Sequence, residues 1–278
     1  MEGTERPKAV EVGSVWVGGG GPLALIAGPC VIENRDHCLM MAERLRKVCD
    51  RFDMPLIFKS SYDKANRSSV HSYRGPGIDE GLRILEHVRN EIGLPVLSDI
   101  HSVSEVDKAA SVLDAIQVPA FLSRQTDLIV AAGKSGKPVN VKKGQFMAPW
   151  DVRGVVDKLE SAGSRDILLT ERGTMFGYDN LVVDFRSFPI LRRYGYPVVF
   201  DATHASPLPA MDADSYREHL VKALTHGAVA AGIDALFMEV HHSPADAPCD
   251  PDRMVGLDVL TTILPAAVEI DRAVKSHL

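Results

Sequence analysis

Residues 23–59 read LALIAGPCVIENRDHCLMMAERLRKVCDRFDMPLIFK, and the order of patterns within them decides the fold. Leu23–Ala27 is a short apolar run that ends on Gly28-Pro29-Cys30. Asp36–Phe52 is an amphipathic stretch of helical length, and Leu56–Lys59 is a second apolar run ending on a lysine. Runs without polar alternation suit parallel strands that are buried on both faces. The unit is therefore strand, polar strand end, helix, strand.

Outward from this unit the theme repeats. Further strands are expected at Val96–Asp99, Ala115–Val118, Val139–Lys142, Ile167–Thr170, Val198–Asp201 and Ala235–Glu239. Helical stretches are expected at Asp79–Ile92, Pro149–Ala162 and Tyr216–Ala231. About eight strand–helix repeats in roughly 250 residues indicate a (β/α)8 TIM barrel. A doubly wound open sheet is the alternative, but no Gly-rich dinucleotide fingerprint follows the first strand. Val10–Val17 reads as a short N-terminal β-hairpin cap before the glycine run Gly18–Gly21. No Pro/Ser-rich linker appears, so residues 1–278 are expected to form one domain, with 1–22 as leader and cap.

Composition narrows the function. The chain is 45% hydrophobic and 24% charged, enough apolar residues for a large core. A net charge of -6 argues against nucleic acid as a partner, though not against phosphates met by a few local cations. No apolar run approaches the roughly 20 residues that span a bilayer. The polar start lacks the apolar core of a secretory signal, so a cytoplasmic location with no membrane partner is expected. Cys30, Cys38, Cys49 and Cys249 have neither zinc-finger nor disulfide-scaffold spacing and read as free thiols.

Barrel enzymes carry their sites at the C-terminal strand ends. Here those ends hold Cys30, Lys59-Ser60-Ser61, Asp99-Ile100-His101, Gln117, Lys142-Lys143, Glu171-Arg172, Asp201-Ala202-Thr203-His204 and Glu239-Val240-His241. Lys59, Lys64, Arg67, Arg124, Lys142 and Arg172 form a basic set suited to phosphates and carboxylates. The plainer reading pairs them with structural carboxylates such as Asp99 or Glu171. Cys30, His204, Glu239 and Asp250 form a set able to hold Zn, Fe or Mn, since the first and eighth strands of a closed barrel are neighbours. Their plainer reading is a small buried thiol and a hydrogen-bonded structural histidine. His71, His101, His241 and His242 are weaker candidates, for which packing roles serve equally.

Longer motifs add a resemblance. Phe58–Ser69, His71–Gly75, Pro119–Asp127, Asn140–Phe146 and Arg172-Gly173 with Phe176–Asp184 closely resemble the 3-deoxy-D-manno-octulosonate 8-phosphate synthases. Coverage runs from about Leu23 to the end of the chain. A sister family, the heptulosonate-phosphate synthases, shares the barrel, but Lys64–Ser69 looks like the octulosonate branch.

The resemblance implies condensation of phosphoenolpyruvate with a phosphorylated aldose, D-arabinose 5-phosphate, releasing inorganic phosphate. It places Lys59, Ser61, Lys64, Gln117, Lys142 and Arg172 around phosphoenolpyruvate. Asn66, Arg67 and Ser68 fall to the sugar phosphate, with Arg124 reaching it from a neighbouring subunit of a homotetramer. Cys30 looks like the metal-dependent branch, with His204, Glu239 and Asp250 as the remaining ligands and Lys142 as an acid/base group. Catalytic work thus falls to Lys142, Asp250, His204 and Cys30.

Two segments depart from the family pattern, 205–212 and 251–257, and both are expected to rim the mouth, where loops set substrate choice. Another phosphosugar, or erythrose 4-phosphate, is the alternative substrate. A Schiff-base aldolase using Lys59 or Lys142 and a sugar-phosphate sensor are the rival classes.

Overall fold

The structure, a computed structural model, describes residues 6–67, 69–178, 180–206 and 214–277. Ser68 and the part of the altered segment from 207 to 212 lie outside the described residues. Eight parallel strands form the centre: β1 (Ala24–Gly28), β2 (Leu56–Lys59), β3 (Val96–Asp99), β4 (Ala115–Val118), β5 (Val139–Lys142), β6 (Ile167–Glu171), β7 (Val198–Asp201) and β8 (Ala235–His241). Each pairs with the next, and β8 pairs with both β7 and β1, which closes the barrel. The expected TIM barrel is what the chain forms.

Helices α1 (Arg35–Asp50), α2 (Ile78–His87), α3 (Val106–Val112), α4 (Thr126–Lys134), α5 (Val152–Ser161), α6 (Ser187–Arg192), α7 (Asp214–Ala230) and α8 (Leu257–Lys275) surround it. The first shows why such segments are helical. Asn34 caps it by accepting from the His37 backbone N–H at 2.9 Å, and Cys38, Met41, Ala42, Leu45, Val48 and Cys49 bury one face at helical spacing.

Boundaries differ from expectation where local chemistry intervenes. The first strand runs Ala24–Gly28 rather than Leu23–Ala27, because Gly28 pairs with Glu239 of β8. The segment expected to be helical through Ile92 ends its α-helix at His87, passes through a π turn at Val88–Ile92, and stops at left-handed Gly93. An antiparallel pair after β6, Thr174–Gly177 with Asn180–Val182, was not anticipated.

Strand alternation divides the interior. At the N-terminal end Ile26, Ile57, Leu97, Ala115, Leu168, Val199 and Phe237 form an apolar plug. The expected hairpin, Val10–Val12 paired with Val15–Val17, seals that plug with four valines. Lys59, Asp99, Gln117, Lys142, Asp201 and Glu239 each come two residues further along their strands than a plug residue or its neighbour. They therefore gather at the C-terminal end. Leu25, Phe58, Val96, Ile116, Val141, Leu169, Phe200 and Leu236 alternate with them and pack in the larger core. No described helix is long and apolar enough to cross a membrane.

Candidate active site

The C-terminal mouth opens into a cavity of about 750 Å³, lined in part by Lys59, Lys64, Asn66, Arg67, Gln117, Lys142, Arg172, His204, Glu239 and Asp250. The strands thus bring together most of the residues singled out from sequence. Ser61 lies just beneath, fully buried, and accepts from Lys59 Nζ at 2.8 Å and Lys64 Nζ at 3.0 Å. Arg124 is not at this mouth; it is exposed on the loop leading into α4.

A belt of hydrogen bonds fixes the floor across five strands. Ser61 and Gln117 both donate to Asp99, Asn140 donates to Gln117 Oε1 at 2.8 Å, and Thr170 donates to Asn140 Oδ1 at 2.6 Å. Buried polar groups are costly unless partnered, so a fully connected belt sets each rotamer.

Charges are arranged as pairs and as free cations. Lys59 Nζ lies 3.4 Å from both Asp99 and Glu239, so the carboxylate pairing weighed for it does exist. Lys142 Nζ donates to Asp201 and sits 3.4 Å from the Phe237 ring centroid. Burial and then the nearby Lys59 charge push the Lys142 pKa down, while Asp201 and Glu239 resist. Burial also lowers that of Arg172. Arg172 and Arg67 form no ion pair with a carboxylate among the described residues, which leaves two guanidinium forks facing the cavity. Arg253, which also lines it, is a third.

The metal-like set arrives as two neighbouring pairs. Cys30 Sγ lies 3.6 Å from Asp250 Oδ2, and His204 Nε2 lies 3.8 Å from Glu239 Oε2. Cys249 joins the first pair, its sulfur 3.9 Å from that of Cys30. The contact with Cys249, burial and the Glu239 charge together hold the Cys30 thiol pKa well above its ordinary value. Burial opposes ionisation of Glu239, yet His204, Lys64, Lys59 and Lys142 hold its carboxyl at about 2. Its Oε2 is buried with no hydrogen-bond partner among the described residues, an orphaned acceptor beside His204 in a set that also offers a thiol and a second carboxylate. That set fits a divalent metal of borderline softness. Asp250 holds a left-handed backbone, φ 46°, which an aspartate tolerates better than a branched residue.

Sequence reasoning missed Asp201, Cys249 and Arg253 as site residues. Asp201 stood among the strand ends but had no assigned role. In the fold it holds Lys142, lies 2.8 Å from His204 Nδ1, and accepts from the His204 N–H at 3.0 Å. Arg253 sits in a segment marked only as a departure.

Known proteins place this site in context. The model of the DAHP synthetase I family matches residues 5–276. A protein of Trichlorobacter lovleyi named 2-dehydro-3-deoxyphosphooctonate aldolase is 57% identical, across 96% of this chain and 99% of its own. Proteins of the same name from Geobacter sp. strain M21 and Citrifermentans bemidjiense are each 56% identical over the same shares. With a match this long at this identity, and the barrel and mouth to go with it, the chain belongs to the DAHP synthetase I family.

Proposed function

We propose that the chain condenses phosphoenolpyruvate with D-arabinose 5-phosphate and water, giving 3-deoxy-D-manno-octulosonate 8-phosphate and inorganic phosphate. The observation that carries this is the mouth itself: lysines and unpaired arginines around a buried polar belt, in a chain 57% identical to a protein of that name. C3 of phosphoenolpyruvate forms the bond to the aldehyde carbon, and the aldehyde oxygen takes a proton. Water adds at C2, and collapse of that tetrahedral centre breaks the C2–O bond to phosphate.

The chain's residues divide this work. Lys59, Lys64 and Arg172, with Ser61 and Gln117, hold the carboxylate and phosphate of phosphoenolpyruvate. Asn66, Arg67 and Ser68 take the sugar phosphate. Lys142 Nζ, fixed by Asp201 and lowered in pKa by burial, gives the proton to the nascent hydroxyl. Cys30, His204, Glu239 and Asp250 would hold a Zn, Fe or Mn ion, which when bound orients the aldehyde and stabilises developing oxyanion charge. The pairing of both Lys59 and Lys142 with carboxylates disfavours a Schiff-base nucleophile.

The reading extends to assembly. Residues 1–278 act as one barrel domain within a cytoplasmic homotetramer, in which Arg124 serves a neighbour's sugar phosphate. Exposed Phe121, Phe146, Trp150, Met175 and Phe176 lie on the segments that follow three adjacent strands and supply apolar surface for such contacts.

The test is phosphate release from phosphoenolpyruvate with arabinose 5-phosphate, erythrose 4-phosphate and ribose 5-phosphate, each with and without a chelator. Turnover with arabinose 5-phosphate that chelation abolishes and added metal restores is expected. Turnover with only another aldose would refute the substrate. Indifference to thorough chelation would refute the metal role of Cys30.

A further inference from the structure

A second cluster of metal-ligating side chains stands where β8 ends and α1 begins, separate from the mouth residues. His241 ends β8 and His242 follows it, while Glu33 precedes the N-cap Asn34 and His37 lies in the first turn of α1. One ligand nitrogen from each of His37, His241 and His242 lies within 4.8 Å of the others. His37 Nε2 and His242 Nδ1 are 3.2 Å apart, and Glu33 Oε1 is 2.7 Å from His241 Nε2 and 3.5 Å from His37 Nδ1.

Two tautomers of His241 fit its contacts: with the proton on Nε2 it donates to Glu33 and accepts from the Ser243 N–H, and with the proton on Nδ1 it donates to the Ser243 carbonyl. His241 Nδ1 is 2.6 Å from the Ser243 carbonyl oxygen, closer than the 3.1 Å approach of the Ser243 N–H. A carbonyl only accepts, so the tautomer this contact favours puts the proton on Nδ1 and leaves Nε2 with a bare lone pair. That lone pair faces a carboxylate oxygen at 2.7 Å, and two acceptors that close need a cation or an extra proton between them. His37 Nδ1 is buried with no hydrogen-bond partner, on a residue only 8% exposed. Metal-bound histidines commonly donate the ring N–H that does not face the ion to a backbone carbonyl or carboxylate, as His241 Nδ1 does in that tautomer.

The spacing also suits a small tetrahedral ion. Zinc–nitrogen bonds of about 2.0–2.1 Å put tetrahedral ligand nitrogens about 3.3 Å apart, near the 3.2 Å between His37 and His242. His242 is exposed, which gives an ion a way in.

We propose that His37, His241 and His242 form a second divalent transition-metal site, a three-imidazole set that takes zinc, with Glu33 beside it. The ion ties the end of β8 to the start of α1. It thereby anchors the base of the segment 243–250, which carries Cys249 and Asp250 to the mouth. This site does not depend on the mouth holding a metal.

Two measurements test it. After equilibration with zinc and removal of loosely held ion, the full chain is expected to retain one more zinc per chain than the His37→Gln/His242→Gln variant. Cobalt(II) titration of Cys30→Ser/Cys249→Ser, which lacks both thiols of the mouth, is expected to give visible d–d bands without thiolate charge transfer. Adding His242→Gln to that chain should weaken cobalt binding by about tenfold or more. His242 is exposed, so this variant leaves the fold intact, and the zinc count decides the matter should Cys30→Ser/Cys249→Ser fold poorly. Equal zinc in the parent and double variant would overturn the proposal. So would cobalt spectra and affinity that His242→Gln leaves unchanged, since the cluster would then be a proton-bridged histidine network.

Discussion

Replacing Gly28 by alanine tests whether the seam between β1 and β2 sets the geometry of the mouth. A Cβ built on Gly28 would stand 2.0 Å from the Lys59 carbonyl oxygen, 3.0 Å from its carbon and 3.2 Å from Phe58 Cε2. Real Cβ contacts essentially never fall below 3.0 Å, so the strands must part by about 1 Å (3.0 − 2.0). The obstacle is backbone, and β2 is held on its other side by Phe58 N–H to Pro95 at 2.8 Å and Ser60 N–H to Leu97 at 3.3 Å. Overpacking of this kind costs about 1–3 kcal/mol, offset by roughly 0.4–1 kcal/mol because alanine stiffens the unfolded chain. At about 2–4 °C per kcal/mol, a net loss near 1–2 kcal/mol lowers Tm by about 2–8 °C. Activity should fall further than stability. Cys30 and Lys59 lie on the two edges being parted, and a misplacement of ~1 Å can cost ~100-fold in rate. Thermal unfolding and phosphate release at saturating substrates read the two effects. A variant with the parent's Tm and kcat would show that the seam relaxes without disturbing the site, and the reasoning would fail.

Other residues give sharper separations of binding from chemistry. Arg172→Ala removes a charged fork with no ion-paired carboxylate among the described residues to strand; it should raise the KM for phosphoenolpyruvate roughly ten- to hundredfold with little change in Tm. Lys142→Met should lower kcat by about 10²–10⁴ and leave buried Asp201 with His204 and Thr203 but without its lysine, so steady-state kinetics with a thermal scan would report both losses. Glu105→Gln tests a carboxylate outside the mouth. Burial opposes its ionisation, but the His101 side chain, then Tyr62 OH and the His101 backbone N–H, bring its pKa from 4.5 to about 2. The folded value lies below the unfolded one. Its stabilisation is therefore present above the ordinary pKa and lost as pH falls from about 4.5 toward 2. After allowance for solvent screening it is worth on the order of 1 kcal/mol. Denaturant unfolding at pH 7 and pH 3 should show the parent and Glu105→Gln converging at the lower pH; a constant gap would contradict this assignment.

How much of this was legible in the sequence depended on how local each signal is. Leu56–Lys59, Val96–Asp99, Ala115–Val118, Val139–Lys142 and Val198–Asp201 were bounded correctly, because a strand buried on both faces announces itself as an apolar run. The first strand slipped by one residue since Gly28 is drawn in by Glu239, a partner more than 200 positions away. Lys142 could be picked from its strand end, but its counter-charge is Asp201, 59 positions on. Nothing in the local pattern marks Asp201 as more than the end of β7. The histidine cluster was illegible for the same reason. His37 lies on the amphipathic face of a helix, and only barrel closure brings His242 to it across 205 positions.

Closure is also what concentrates metal-binding chemistry on one side of the barrel. A strand that pairs with its successor in the chain has its neighbours set by short crossovers, and its inward residues join the belt from Ser61 to Thr170. β8 and β1 have no such crossover; they meet only when the barrel shuts, register Glu239 against Gly28. Residues carried past that seam, Cys30 and Glu33 on one side and Glu239, His241, His242 and Asp250 on the other, come from the two ends of the chain. A metal held by ligands from both sides would bridge the interface between the two ends of the barrel's chain, where bound ion adds directly to folding free energy because the unfolded chain has no preformed site. Metal at the mouth and at the histidine cluster would therefore share one stabilising consequence, tightening the β8–β1 seam, while only the mouth site touches the reacting atoms.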